Sequence, residues 1–277
     1  MIRLEIIDQQ GQVRQGRHGL SEVVTPMANQ GEKAAFLAMV DFDYQEGDRI
    51  RVTTSGPNQF VVAKFDETLA PAIVLLANST WEYEIPLSES ARKSIPNTAF
   101  MAKRRSISVR YAKDFEVTPR RNLAYNTHDQ KENTGAYPHA SANVETRNDS
   151  TFFAKNAIDG TCTNNDHGPF PFQSWGINRD PNAELTIDFG REVTIDTIGL
   201  VLRADYPHDS YWTQVSLRFS NGNNLTFNTT NAIEAQEFSF PPEKATSITL
   251  HSLIKAEDES PFPALTQIEV YGQICYG

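Results

Sequence analysis

Six side chains between Leu202 and Trp212 have the right types to hold a polar, ring-shaped ligand. Arg203, Asp205 and His208 fall in one connection between strands and can supply hydrogen bonds. Arginine suits neighbouring oxygens because its rigid fork donates to two of them at once. Tyr206, Tyr211 and Trp212 can lay an aromatic ring against an apolar ligand face. Small-molecule pockets combine apolar walls with a few placed polar groups in this way. Other readings of the same residues stay open. Arg203 and Asp205 can pair as a salt bridge that fixes the loop, and His208 between Asp205 and Asp209 has the make-up of a general base. Trp212 is offset by one position from the inward face of Val215, Leu217 and Phe219, so it can serve either core or surface.

The elements that must carry these residues are strands. Short runs of alternating apolar and polar residues, bounded by Gly, Pro, Asn and Asp, fill the chain, and long segments of helical period are missing. In the first half the expected strands are Ile2–Ile7, Ala34–Val40, 49–54, 60–65, Ala72–Leu76, 81–85 and 107–111, with a short helix at 27–33 or 88–93. The polar, aperiodic stretch from about Val117 to Ala136 reads as a boundary. Beyond it Leu185, Ile187 and Phe189 mark one strand and Ile198, Leu200 and Leu202 another; further strands follow at Val215–Phe219, Phe238–Phe240, Ile248–Leu250 and Ile268–Val270. The expected fold is all-β, with one β-sandwich domain over 1–117 and a jelly-roll β-sandwich over 118–277.

The second half also carries an ordered series of landmarks: Asn122-Leu123-Ala124, His139-Ala140-Ser141-Ala142, Asn156-Ala157-Ile158-Asp159-Gly160, Ser174-Trp175-Gly176, Leu185-Thr186-Ile187-Asp188-Phe189-Gly190 and Gln267-Ile268-Glu269-Val270-Tyr271-Gly272. In order and spacing these resemble the discoidin, or coagulation-factor C-type, domain and the related fucose- and galactose-binding lectin modules of the galactose-binding-like superfamily. The segment from Leu202 to Trp212 resembles a bacterial subgroup attached to, or encoded near, carbohydrate-active enzymes. The first half, around Tyr44 to Ile50, is similar to the β-domain that accompanies that subgroup.

The resemblance implies a carbohydrate ligand and a structural calcium ion. Arg203 matches a lectin arginine that contacts the sugar; Asp205, His208, Tyr211 and Trp212 complete the expected sugar site. His167, in the inserted loop 164–173, resembles a lectin histidine at the same rim. The implied calcium ligands are the carbonyl of Asn156, the carboxylate of Asp159, the carbonyl of Thr161, the oxygens of Ser174, the carbonyl of Thr266 and the side chain of Gln267. Calcium wants six to eight oxygens, many of them backbone carbonyls, so an Asp-Gly loop suits it. At position 267 the family pattern has Glu, so Gln267 removes one negative charge. The same Asp159-Gly160 can also form a plain turn whose carboxylate caps backbone N–H groups. Trp175 is expected to pack under this loop, and His128 and His139 read as surface residues in polar loops.

Composition narrows the remaining choices. Lys and Arg total 25 against 35 Asp and Glu, a net charge of −10, which argues against nucleic acid or an anionic membrane as partner. The two cysteines, Cys162 and Cys275, are too few for a disulfide framework and lack metal-site spacing. No nucleophile elbow, phosphate loop, zinc motif or dinucleotide fingerprint is present. The expected function is non-catalytic carbohydrate binding, alone, as a homo-oligomer or beside a carbohydrate-active enzyme. A glycan-active hydrolase or lyase and a protein-interaction module are the alternatives. The N-terminal segment has no apolar leader core, so the expected location is the cytoplasm, or outside the cell if a leader has been removed.

Overall fold

Alternation in sequence becomes alternation in burial. Along Ala34–Val40 every second side chain is buried, and Arg49–Thr53 repeats the pattern. This is what strands with one face on a core require. In the computed structural model, which describes residues 1–205 and 210–275, the chain divides into two units. One comprises Met1–Val117 with Asn133–Tyr137, and the other comprises Thr118–Glu132 with the chain from Pro138 onward.

The first unit holds two main antiparallel sheets. Ala28–Gly31, Ile2–Ile7, Arg49–Thr53 and Thr80–Glu84 form one in that order; Ala136–Tyr137, Ala72–Leu76, Gln59–Lys64, Arg104–Tyr111 and Ala34–Val40 form the other. Its core combines Ile2, Leu4 and Ile6 with an aromatic cluster in which the Phe65 ring lies 4.9 Å from Trp81 and 5.2 Å from Tyr83. The short helix expected at 27–33 is instead the edge strand Ala28–Gly31, paired to Ile2–Glu5. The alternative at 88–93 matches a single 3-10 turn, Ala91–Ser94.

The second unit is a β-sandwich built on two long bent strands, Leu185–Leu202 and Gln236–Lys255. The apolar runs expected to mark separate strands at 185–189 and 198–202 belong to one strand. Its first part pairs with His139–Ala142 and with Ser247–Leu250, and its second part with Ala264–Ile274 and with Gln236–Ala245. Gly190, at φ +67°, and register shifts after Asp188 and Ile195 let the chain bend between the two sets of partners. Between the layers lie Ile187, Phe189, Ile198, Leu200, Leu217, Ile248, Val270 and the indoles of Trp175 and Trp212. His128 and His139 belong to this buried interior, at 1% and 6% exposure, against the expectation of surface loops. Burial pushes the His128 imidazole down to about 3, so it is neutral at physiological pH. His139 pairs through Nδ1 with Asp129 at 2.9 Å.

Candidate functional site

The strand Leu185–Leu202 ends by delivering Arg203 to one end of the second unit. The Arg203 amide donates to the carbonyl of Ala264 at 3.1 Å, so the turn is clamped to the start of the last strand. Asn164 anchors the inserted loop to the same place. Its side-chain amide donates to the carbonyls of Leu202 at 2.7 Å and Ile233 at 2.9 Å, and its carbonyl accepts from the Ala204 amide at 2.8 Å. These bonds bring His167 to the strand end.

The side chains of Arg203 and Asp205 are each 5% exposed, with Nε and Oδ1 2.7 Å apart. The other oxygen of Asp205 meets Nδ1 of His167. Asp166, His167 and Asp205 group their ligand atoms within 4.8 Å, as a cation site would, but Arg203 already neutralises Asp205. The salt-bridge reading and the site reading therefore coexist: Asp205 holds the guanidinium and the imidazole in place from behind.

In front of them opens a cavity of about 470 Å³. Arg203 and His167 line it together with Arg147, Phe152, Asn178, Arg179 and Phe262. Two turns with left-handed backbone build its rim, Arg147 and Asn148 at φ +54° and +50°, and Asn178 and Arg179 at φ +50° and +62°. Thr146 ties them, its hydroxyl accepting from the Asn178 amide at 2.9 Å. Gly176 permits this closeness, since a Cβ there would lie 2.7 Å from the Thr146 hydroxyl and 3.1 Å from the Phe152 ring. Phe262 stands between two prolines and remains 43% exposed. Sequence reasoning missed it; the one available signal was an aromatic residue isolated in Pro261-Phe262-Pro263 just before a strand. Nothing in the sequence singled out Arg147 or Arg179, because the turns that place them show only in three dimensions.

Two of the expected sugar-site residues fall elsewhere, and a third lies outside the described residues. Trp212 is fully buried, with its ring centroid 6.3 Å from that of Trp175, so it is a core residue and has no face to offer a ligand. Tyr211 is half-buried against the same core and does not line the cavity. His208 lies outside the described residues.

The six expected calcium positions do come together, but as a hydrogen-bonded knot. Asp159 accepts from the Thr161 amide and from the side-chain amide of Gln173, both at 2.7 Å. Gln267 accepts from the Gly160 amide at 2.8 Å and turns its own NH₂ toward the Asn156 carbonyl at 3.5 Å. The Ser174 carbonyl accepts from the Asn156 side chain at 3.2 Å, and the Lys155 ammonium lies 3.3 Å from the Asn156 side-chain oxygen. Thr266 is buried on the last strand beside Gln267. The Ser174 hydroxyl and the side-chain oxygen of Gln173 are the buried oxygens here with no hydrogen-bond partner among the described residues.

A calcium ion needs inward oxygens and negative charge. Here N–H groups face the Asp159 carboxylate, the Gln267 side-chain oxygen and the carbonyls of Asn156 and Ser174, Gln267 brings no charge, and Lys155 adds a positive one. The donor set does not fit calcium, and the expectation of a calcium site is corrected on that ground. Millimolar calcium or excess chelator is accordingly expected to leave the melting temperature within about 1 °C, whereas occupancy of a real site a hundredfold above its Kd would add about 2.7 kcal/mol. A calcium-dependent rise of several degrees would contradict this.

No protein-family model matches the chain, and no curated protein matches it in sequence. Solved structures do match. Chitosan-binding module 1 from a chitosanase/glucanase of Paenibacillus sp. IK-5 is 19% identical at a TM-score of 0.39, over 55% of this chain and 98% of that one. The family 32 CBM of C. perfringens NanJ, in complex with galactose, is 19% identical at 0.37, over 48% and 91%. The lectin domain of lectinolysin, complexed with Lewis B antigen, is 18% identical at 0.40, over 55% and 96%.

Proposed function

We propose that the second unit binds carbohydrate, without chemical conversion, in the cavity between Arg203, His167 and Phe262. One juxtaposition carries this reading: a fixed guanidinium and an imidazole face the same 470 Å³ space as a partly exposed aromatic ring. A sugar presents vicinal hydroxyls at its edge and C–H groups on its face, and this cavity offers a partner to each. Its volume falls within the usual range for small-molecule sites, about 300–1,000 Å³. Recognition without conversion is the reading that the resemblance to lectin modules implies.

One shallow site should bind in the micromolar to millimolar range, about 4–8 kcal/mol. Several copies on a polymeric ligand would then gain by avidity. Titration calorimetry with galactose, N-acetylglucosamine and their short oligomers tests the proposal. Binding by the wild-type chain is expected to weaken about tenfold or more in Phe262→Ala, with the melting temperature little changed because the ring is partly exposed. Binding that ignores this substitution would place the ligand elsewhere.

A further inference from the structure

The cavity is basic in an acidic protein. The chain carries a net charge of −10, yet the charged side chains on this wall are Arg147, Arg179 and Arg203, with His167 beside them. Asp205 neutralises Arg203 from behind. Arg147 and Arg179 make no ion pair among the described residues. They lie on aromatic rings instead, Arg147 5.6 Å from the centroid of Phe152 and Arg179 4.3 Å from that of Phe262. Each sits in a left-handed turn, a conformation that costs a non-glycine residue energy and collects at binding sites. Thr146 ties the two turns to each other, and both arginines line the same cavity wall.

A neutral sugar would leave these two cations without a counter-charge; a carboxylate or sulfate would supply one and accept forked hydrogen bonds from a guanidinium group. We infer that the ligand of this site is an anionic saccharide, with its carboxylate or sulfate between Arg147 and Arg179 and its ring toward Phe262 and Arg203. This inference rests on the carbohydrate reading above.

Calorimetry on the full chain can separate the two. Tetragalacturonate is compared with its methyl ester, and galactose 6-sulfate with galactose, at low and high salt. The acidic member of at least one pair is expected to bind about tenfold tighter than its neutral counterpart, and the preference to shrink as salt rises. In Arg147→Gln/Arg179→Gln the ratio should collapse toward one while the melting curve shows a folded chain. Which pair responds tells carboxylate from sulfate. Equal affinity for acidic and neutral sugars would overturn the inference and leave carbohydrate binding standing. Silence toward all four would overturn both.

Discussion

Trp212→Ala is expected to destabilise the second unit by about 3–5 kcal/mol, the cost of removing a large aromatic side chain from a packed interior. Trp212 has no exposed surface and rests against the equally buried Trp175. It also lies among Leu202, Val215 and Leu253 in one core cluster, so little can move in to fill the gap. The melting temperature should fall by roughly 10 °C or more, at about 2–4 °C per kcal/mol for a unit of this size. Trp212→Phe should recover part of the loss. A variant that melts normally but no longer binds sugar would show Trp212 to be a ligand platform and would refute its place in the core.

Arg203 is expected to give the largest effect on ligand binding, and alanine alone would confuse two causes. Removing the guanidinium leaves the Asp205 carboxylate, 5% exposed, with the His167 imidazole still beside it. Breaking a buried ion pair from one side costs about 3–5 kcal/mol. Arg203→Ala should therefore lose both binding and stability. Arg203→Lys keeps the charge for Asp205 and removes the fork, so it should fold and still bind about tenfold or more weakly. Normal affinity in Arg203→Lys would mean that the fork does not touch the ligand.

These cases also show what a linear pattern conveys. Period two correctly placed Ile2–Ile7, Ala34–Val40 and Ala72–Leu76, because those strands run without interruption. The same rule put Trp212 on the opposite face from Val215. Register shifts between Trp212 and Gln214, and again between Gln214 and Ser216, break the alternation and turn the indole inward. The joining of 185–189 with 198–202 was hidden for a similar reason, since Gly190 reads as a turn and acts as a bend within one strand.

Of the site, the residues at the end of a strand were legible: Arg203 and Asp205 follow directly on Leu202, and His167 reaches them through the loop that Asn164 pins. Arg147, Arg179 and Phe262 come from separate segments that meet only when the sandwich closes. The calcium expectation failed on chemistry rather than position. The loop is folded as expected, but the Gly160 amide, Gln173 and Lys155 supply the hydrogens and charge that would repel a cation.

The central claim is that the cavity at Arg203 holds a sugar. Its most direct test is a two-dimensional NMR titration of the chain with tetragalacturonate and with galactose, following side-chain and backbone N–H signals. The account predicts shifts concentrated at Arg147, His167, Asn178, Arg179 and Arg203, saturating in the micromolar to millimolar range and abolished or strongly weakened in Phe262→Ala. Shifts that map away from these residues, or no shift with either sugar, would contradict it.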